Sequence, residues 1–417
     1  MKKIKLTPLE RSWVAYDIGN SAFTMLVATL FPIFFNALAE GAGISDTEYL
    51  AYWGYAGSIS TLLVALVGPI CGTLADHRGY KKPIFLTSLL IGCIGCASLG
   101  FFSDWLLFLI AFVAVKVAYS AGNVFYDAML PEITTSDRMD AVSSLGYAFG
   151  YIGSCIPFIA SLVLVLMPGT FGMTQGQAMI AAFALTAVWW FLLTVPLLRR
   201  YRQTAYVEHQ GNAMAASFRQ LGKTLKNVRM EKHIFLYLLS FFFFIDGVYT
   251  IIDMATAYGT ALGLDTTGLL LALLVTQFVA FPFAILFGRL ASKYNTGLLI
   301  KLCILAYTGI AVFATFLNYQ WQFWTLAVLV GMFQGGIQAL SRSYLGKIIP
   351  AERSGEYFGL MDICGKGASF VGMILVSVVS QLTDNMHLAV GSIVIIFVIG
   401  FALFCKADKL NREFISA

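Results

Sequence analysis

A small number of charged side chains interrupt stretches of sequence that are otherwise long and apolar. They are Lys116, Arg342, Lys366, Asp17, Asp127, Asp246, Asp253 and Asp362. A charge at mid-bilayer costs at least about 2.5 kcal/mol on insertion scales, so such residues usually face a watery cavity or pair with one another. The chemistry open to them is ion pairing, contact with a charged solute, or exchange of a proton.

Polar residues recur at helical spacing in four of the apolar segments. The four sets are Asp17, Ser21 and Thr24; Lys116, Asn123 and Asp127; Asp246, Tyr249, Thr250 and Asp253; and Gln334, Gln338 and Arg342. Steps of 7 and 11 residues return to within about 20° of one helix face, so the second set forms a single stripe. Four such stripes are the pattern that a hydrophilic solute path through a membrane requires.

Two interpretations of these residues compete. In the functional one, Lys116 and Lys366 hold a carboxylate or other anionic group of a substrate, and Asp246 or Asp253 exchanges a coupling proton. The full set of predicted substrate contacts is Lys116, Asn123, Asp246, Tyr249, Gln334, Gln338 and Lys366. In the structural one, the charges form static pairs; Asp362 precedes Lys366 by four residues, which suits a salt bridge within one helix.

The elements that must position these side chains are helices that cross a membrane. Of the 417 residues, 59% are hydrophobic and 12% charged, whereas soluble domains are about 25% charged. A span needs about 20 apolar residues. Twelve spans are predicted, at 12–38, 50–75, 83–102, 105–130, 141–167, 178–198, 233–261, 267–291, 297–317, 321–349, 355–381 and 386–405.

The basic residues indicate how the spans are oriented. All but three of the 27 lysines and arginines lie at the termini, in a central linker or in the loops on one side, and the six loops on the other side carry none. Positive loops stay in the cytoplasm, so both termini are predicted there, in a multi-pass protein of the cell (inner) membrane. The expected partners are a small-molecule substrate and the lipid bilayer, with no nucleic acid, and the chain is expected to be monomeric.

The chain divides into two halves of six spans. We predict an N-terminal bundle at 1–198, a cytoplasmic linker at 199–232 and a C-terminal bundle at 233–417. The linker either forms an amphipathic helix from Ser217 to Lys232 or serves as a solvated tether. The segment Gly72-Thr-Leu-Ala-Asp-His-Arg-Gly and the segment beginning Gly288-Arg-Leu-Ala resemble each other, which indicates a parallel duplication.

The loop that begins at Gly72 carries a specific motif, with Asp76 at its fifth position and a basic cluster after the turn. It resembles the signature loop of the major facilitator superfamily. Asp76 is expected at the N-terminus of span 11, where the helix dipole is positive and Ser354 offers a cap. The alternative is a short loop that is merely anchored by its basic residues. The predicted gating residues are Asp17, Asp76, Arg78, Asp127, Arg342 and Asp362.

Three further segments carry a closer resemblance. They are Tyr16-Asp-Ile-Gly-Asn-Ser-Ala-Phe in span 1, Asn123-Val-Phe-Tyr-Asp-Ala-Met-Leu-Pro in span 4 and Gly335-Gly-Ile-Gln-Ala-Leu-Ser-Arg-Ser-Tyr in span 10. They are similar to the autophagy-related vacuolar effluxer-like family, a branch of the major facilitators. That resemblance implies an all-α membrane fold of twelve helices in two pseudo-symmetric bundles, and transport by alternating access.

The sequence lacks the motifs of most other functions. There is no phosphate loop, the four histidines lack metal spacing, and no nucleophile constellation can be assembled, so neither an enzyme nor a metal or cofactor is predicted. The polar stripes and the resemblance together lead us to expect a secondary active transporter of a small polar or zwitterionic solute. The resemblance implies solute transport and favours an amino acid or short peptide, and Asp246 and Asp253 are the motive for expecting proton coupling. The alternatives are an exporter of amphiphiles or drugs and, from another class, a lipid scramblase or membrane sensor.

Overall fold

The protein is described by a computed structural model. It covers residues 5–44, 46–208, 217–220, 222–223, 231–262 and 264–416, and the side chains of Asp253 and Lys366 are outside the described part. Six helices form the N-terminal bundle: α1 (Pro8–Ala28 and Leu30–Gly41), α2 (Asp46–Ala75), α3 (Lys81–Ser98), α4 (Trp105–Ile133), α5 (Ser136–Leu166) and α6 (Gln175–Arg200). Six more form the C-terminal bundle: α7 (Lys232–Ala261), α8 (Thr266–Leu290), α9 (Thr296–Ala314), α10 (Gln320–Ile348), α11 (Ser354–Thr383) and α12 (Met386–Gly391 and Ile393–Ser416).

The twelve-helix fold predicted from the sequence is confirmed. Within the described residues, eleven helices are long and apolar enough to cross a membrane. The twelfth, α11, has 30 residues, which at 1.5 Å per residue is also long enough to span a bilayer. The first span starts earlier than expected, because Thr7 and Glu10 form a capping box before the apolar stretch begins.

The two bundles meet along two seams. At one seam α2 packs on α11, and a Cβ added at Gly72 would lie 2.2 Å from the carbonyl oxygen of Gly355. At the other seam α8 packs on α5, and a Cβ added at Gly288 would lie 2.6 Å from the Cβ of Ser144. Gly72 and Gly288 occupy equivalent positions in the two similar segments of the sequence, and each allows one close helix crossing at its seam.

The chain between α6 and α7 lies against the loop that joins α2 to α3. The Gln203 side-chain oxygen accepts from the N–H of Gly79 at 3.0 Å, and the N–H of Val207 donates to the carbonyl of Asp76 at 2.8 Å. Residues 217–220 are helical, while most of the predicted amphipathic helix falls outside the described residues. We call the side of the molecule that carries this linker and both chain ends the terminal face.

Candidate functional site

Arg342 of α10 reaches across the interface into the N-terminal bundle. Its Nη1 donates to Asp127 Oδ1 at 3.0 Å, and its Nη2 lies 3.3 Å from Asp17 Oδ2. Nε and Nη2 also donate to the hydroxyl and the carbonyl of Ser143, each at 2.9 Å. Only 4% of the side chain is exposed. A desolvated cation is tolerated only when it is paired and hydrogen-bonded in this way.

Three aromatic rings complete the surroundings of this guanidinium. Its Cζ lies 4.3 Å from the ring centre of Tyr147, 4.6 Å from that of Trp13 and 5.4 Å from that of Tyr126. Arginine is attracted to aromatic faces at such distances. We call the set Trp13, Asp17, Tyr126, Asp127, Ser143 and Tyr147 the cation cage.

A glycine on α5 makes room for the cage. A Cβ added at Gly146 would lie 2.6 Å from Asp17 Oδ2 and 3.0 Å from Arg342 Nη2. Contacts under 3 Å to a charged oxygen would force the carboxylate to move. The absence of a side chain at Gly146 therefore lets α1 approach α5 closely enough for Asp17 to reach Arg342.

A second contact between the bundles lies at the seam between α2 and α11. The Asp76 carboxylate accepts from the backbone N–H of Gly355 at 2.7 Å and of Glu356 at 2.9 Å, in the first turn of α11. Burial raises the pKa of the Asp76 carboxyl to about 7, against the opposing pull of the Lys81 ammonium and the two N–H donors. A carboxyl group at this position satisfies helix N–H groups that otherwise have no partner.

Ser354 does not cap this helix as expected. Its hydroxyl donates to the carbonyl of Ala128 at 2.7 Å and accepts from Lys81 Nζ at 2.9 Å. The fully buried ammonium of Lys81 also bonds Glu132 at 2.8 Å. The N-terminus of α11 is therefore held by groups from the opposite bundle rather than by its own side chain.

A third contact between the bundles also lies at the terminal face, at the second seam. It is formed around Asp140, near the start of α5. Asp140 accepts from the hydroxyls of Ser343 at 2.6 Å and Thr296 at 2.7 Å, and it pairs with the ammonium of Lys347. All three partners belong to the C-terminal bundle. This ion pair was not predicted, because both charges sit at helix ends where they resemble ordinary loop residues.

Arg78, predicted as a gating residue, is not part of these contacts. Its side chain is 70% exposed, pairs with Glu208 of the linker at 3.4 Å, and lies 5.3 Å from the ring of Tyr206. The turn at Gly79, which has φ of 82°, sends Arg78 toward water. Lys81, at the start of α3, points inward instead, and the sequence showed it only as one of several basic loop residues.

Two of the predicted substrate contacts are engaged in polar pairs. The amide oxygen of Asn123 accepts from Asn20 at 2.8 Å and from the Tyr16 hydroxyl at 3.3 Å. The amide oxygen of Gln338 accepts from the Tyr151 hydroxyl at 3.0 Å, which joins α10 to α5 of the other bundle. Gln334 is buried one turn away on the same helix.

Lys116, Tyr249 and Asp362 are half-buried on three different helices. The Lys116 ammonium lies 5.9 Å from the ring centre of Phe112 and 3.9 Å from the place of a Cβ added at Gly57. A carboxylate oxygen of Asp362 lies 3.9 Å from the place of a Cβ added at Gly68, across the interface. A ring atom of Tyr249 lies 3.8 Å from the place of a Cβ added at Gly365 of α11.

Asp246 is completely buried inside the C-terminal bundle. Its Oδ1 accepts from the backbone N–H of Gly372 at 2.9 Å and from the Thr250 hydroxyl at 3.4 Å. Its Oδ2 has no hydrogen-bond partner among the described residues. The side chains of Asp253 and Lys366, also predicted as functional, lie outside the described part, as does any pairing of Lys366 with Asp362.

Comparison with known proteins agrees with this architecture. The family model described as "Vacuole effluxer Atg22 like" matches residues 9–412. An uncharacterized MFS-type transporter, YxiO of Bacillus subtilis (strain 168), is 42% identical over 404 residues, which cover 96% of this chain and 94% of that protein. Autophagy-related protein 22 of Kluyveromyces lactis is 23% identical over 409 residues, covering 88% of this chain and 81% of that protein.

Solved structures with the same fold are transporters as well. The human organic anion transporter MFSD10 superposes with a TM-score of 0.71 at 12% identity, over 95% of this chain and 98% of that one. The major facilitator superfamily transporter FucP, in its outward conformation, superposes with a TM-score of 0.70 at 14% identity, over 96% and 97%. The architecture and the relatives therefore identify a membrane transporter rather than an enzyme.

Proposed function

The chain belongs to the vacuole effluxer Atg22-like family of major facilitator transporters, and on that premise we propose that it is a secondary active transporter of a small polar or zwitterionic solute. The two bundles rock about a central path and expose it to one side of the membrane at a time. Amino acids and short peptides are the favoured solutes, and a proton is the proposed coupling ion.

The observation that carries this proposal is the insertion of Arg342 into carboxylates of the opposite bundle. Alternating access requires contacts that close one face and can be broken without unfolding either bundle. A guanidinium on α10 that is held by Asp17 and Asp127 meets this requirement, because each bundle keeps its own apolar core when the pair separates. The contacts of Asp76 and Asp140 act at the same face.

The distribution of basic residues supports a proposal for which side of the membrane is closed. Basic loops remain in the cytoplasm, so the terminal face is proposed to be cytoplasmic, with both termini there. Among the described residues, the ion pairs that join the two bundles belong to Arg342 and Lys347, six residues and one residue from the C-terminal end of α10. On this basis we propose that the state is closed toward the cytoplasm.

Polar groups along the proposed path are suited to a zwitterion. Lys116 of α4 is proposed to contact a carboxylate, and the amides of Asn123 and Gln338 are proposed to exchange their present partners for the solute. Asp246, with one carboxylate oxygen lacking a partner among the described residues, is the proposed proton site together with Asp253. The name of the family, vacuole effluxer, supports a solute released from a compartment.

Export of amphiphiles is the rival within transporters, and the 15% aromatic content of the chain, which includes the run Phe241 to Phe244, is compatible with it. Phe241 and Phe244 are buried in the core of the C-terminal bundle, where they pack against each other and near Phe404. Phe242 packs against the same core. These three rings pack within the bundle core and therefore do not support the amphiphile proposal.

The test is counterflow of radiolabelled amino acids, dipeptides and nucleosides into proteoliposomes, with and without a pH gradient. Candidate solutes are first selected by thermal shift, because a ligand that binds the folded protein raises its apparent stability. Saturable counterflow of a hydrophilic solute supports the proposal. Transbilayer movement of a labelled lipid, without counterflow of any solute in the panel, would overturn it in favour of a scramblase.

A further inference from the structure

The cation cage is built entirely by the N-terminal bundle, and its occupant belongs to the other bundle. Trp13 and Asp17 lie on α1, Tyr126 and Asp127 on α4, and Ser143 and Tyr147 on α5. Within the described part of the chain, the hydrogen bonds and ring contacts of the Arg342 guanidinium all go to these residues. One bundle thus offers a cation site that the chain fills with its own side chain.

We propose that this cage is a solute-binding site, and that it takes the guanidinium or amine group of a cationic or zwitterionic solute when Arg342 withdraws. The inference rests on the proposed function, because rocking of the bundles is what removes Arg342 from the cage. It narrows the substrate class to solutes that carry a protonated nitrogen, with a guanidinium preferred.

Charge balance provides the first argument. Asp17 and Asp127 lie within membrane-spanning helices and both contact the one guanidinium. If α10 moves away with Arg342, two carboxylates remain in a largely apolar bundle without a compensating cation. Removing one partner of a buried pair is strongly destabilising. A cationic solute that enters as Arg342 leaves restores the balance and thereby lowers the barrier to opening.

The α1 and α4 walls of the cage are also joined by contacts that do not involve Arg342. The indole N–H of Trp13 donates to the carbonyl of Tyr126 at 3.0 Å, and the two rings stack with their centres 4.3 Å apart. The Tyr126 hydroxyl donates to Asp17 Oδ2 at 3.0 Å. These contacts join α1 to α4 inside one bundle, so they move together, and a preorganised site binds at a smaller entropic cost.

One carboxylate of the cage is partly exposed. The Asp17 carboxylate is nearly enclosed, whereas the side chain of Asp127 is 29% exposed. Asp127 and Asn123 lie one turn apart on α4, on the polar stripe that leads from the cage toward Lys116. A solute on this stripe can place its cation at Asp127 before Arg342 has fully withdrawn.

The rings determine which cations fit best. A planar guanidinium can stack on Trp13 and Tyr147 and donate to two carboxylates in fixed directions, as Arg342 does. An ammonium can pair with the same carboxylates but lacks the flat face. L-arginine and L-citrulline form a matched pair of probes, because they have nearly the same shape while citrulline carries a neutral ureido group.

The experiment uses the full-length Arg342→Ala variant, purified in detergent and checked for helix content by circular dichroism. Guanidinium chloride and L-arginine at low millimolar concentration are expected to raise its melting temperature by several degrees, with sodium chloride and L-citrulline inactive. Arg78→Ala is the matched control, since it removes an exposed arginine outside the cage. The double variant Asp17→Asn with Arg342→Ala should lose most of the guanidinium-dependent shift.

Equal shifts with arginine and citrulline, or the same arginine shift in Arg78→Ala and Arg342→Ala, would overturn the inference. If Arg342→Ala does not fold, competition in wild-type proteoliposomes decides: L-arginine and agmatine must inhibit counterflow more strongly than L-citrulline. If neutral solutes show counterflow and arginine does not inhibit it, the cage is not part of the solute path, and the proposed transport function still holds. A cage that binds guanidinium in a protein without any counterflow would contradict the proposed function alone.

Discussion

The ammonium of Lys347, one residue from the end of α10, pairs with the carboxylate of Asp140 at the start of α5 in the opposite bundle. Comparison of the two similar halves of the chain shows why an ion pair is needed at this seam. At the other seam Asp76 bonds the start of α11, whereas the equivalent position in the second half is Ser292, which cannot supply a carboxylate. Asp140 and Lys347 therefore secure the seam at which the second copy of the motif carries no acid.

Separate and combined substitutions of Asp140 and Lys347 test this contact. Asp140→Asn and Lys347→Met are each expected to loosen the terminal face, and the double variant should cost less than the sum of the two. The coupling energy in thermal or denaturant unfolding should fall within about 0.5–3 kcal/mol. Faster amide hydrogen exchange at residues 343–349 in the single variants would locate the loosening.

The exposed pair of Lys409 and Glu413 on α12 provides the control cycle, since its atoms are 3.9 Å apart and both side chains lie mostly in solvent. Its coupling should be within about 0.5 kcal/mol of zero. A coupling at Asp140 and Lys347 that is no larger would show that this pair does not hold the seam.

Asp76 should make stability depend on pH. Its pKa in the structure is raised from the ordinary 3.8 to about 7, so the folded state binds this proton more tightly than a state in which the carboxyl is in water. The contribution of Asp76 to the free energy of unfolding is therefore greatest below about pH 4. It falls by up to about 1.4 kcal/mol per pH unit as the pH rises to about 7, and it is constant above that pH. Asp76→Asn should remove this slope.

The measurement is the difference in melting temperature between wild type and Asp76→Asn across that pH window, which cancels the titration of other groups. Wild type should lose stability relative to the variant as pH rises. The opposite slope would show that Lys81 and the two backbone donors outweigh burial and hold Asp76 ionised.

The close crossing of α2 and α11 gives a prediction that depends only on the size of the side chain at position 72. The side chain introduced by Gly72→Ala would place its Cβ 2.2 Å from a backbone oxygen of Gly355, which cannot move without shifting α11. We expect a loss of about 1–3 kcal/mol in unfolding free energy, as in other overpacked cores, and weaker protection of the Asp76 contact in hydrogen exchange. Gly54→Ala on the same helix has nothing within 4 Å and should be neutral or slightly stabilising.

Lys116 offers a test of solute recognition. Lys116→Met keeps most of the side-chain volume, so the protein should remain folded while affinity for a solute carboxylate drops about tenfold or more. The comparison is between an amino acid and its C-terminal amide in competition against counterflow. Wild type should prefer the acid and the variant should not; an unchanged preference would exclude Lys116 from the contact.

The parts of the site that could be predicted from the sequence are the charged residues within apolar segments. Asp17, Asp127 and Arg342 stand out because charges are rare in apolar helices, and for that reason they were predicted as gating residues. The walls of the cage were not foreseen, because Trp13, Tyr126 and Tyr147 are ordinary residues for a membrane helix. Aromatic side chains in a core and around a cation have the same sequence pattern, and only the packing of three helices distinguishes them.

The partner of Asp246 was beyond sequence for a different reason. The carboxylate bonds a backbone N–H of Gly372, so no side chain on α11 signals the contact. The contact requires glycine at position 372, since a Cβ added there would lie 2.1 Å from the Thr250 hydroxyl and 2.7 Å from Asp246 Oδ1. Backbone partners depend on how two helices are placed, which spacing within one helix does not determine.

Asp246→Asn separates proton coupling from architecture. The amide retains the oxygen that accepts from Gly372, so the fold should persist and counterflow, which needs no driving ion, should continue at a similar rate. Accumulation of solute driven by a pH gradient should be abolished, because a side-chain amide neither binds nor releases a proton at physiological pH. Asp384→Asn is the control: this exposed residue ends α11 in the left-handed conformation that asparagine adopts readily, and coupling should be unaffected. Gradient-driven accumulation that survives in Asp246→Asn would remove Asp246 as the proton site. Its Oδ2, which has no hydrogen-bond partner among the described residues, would then be a cost of packing α7 against α11 rather than part of the transport cycle.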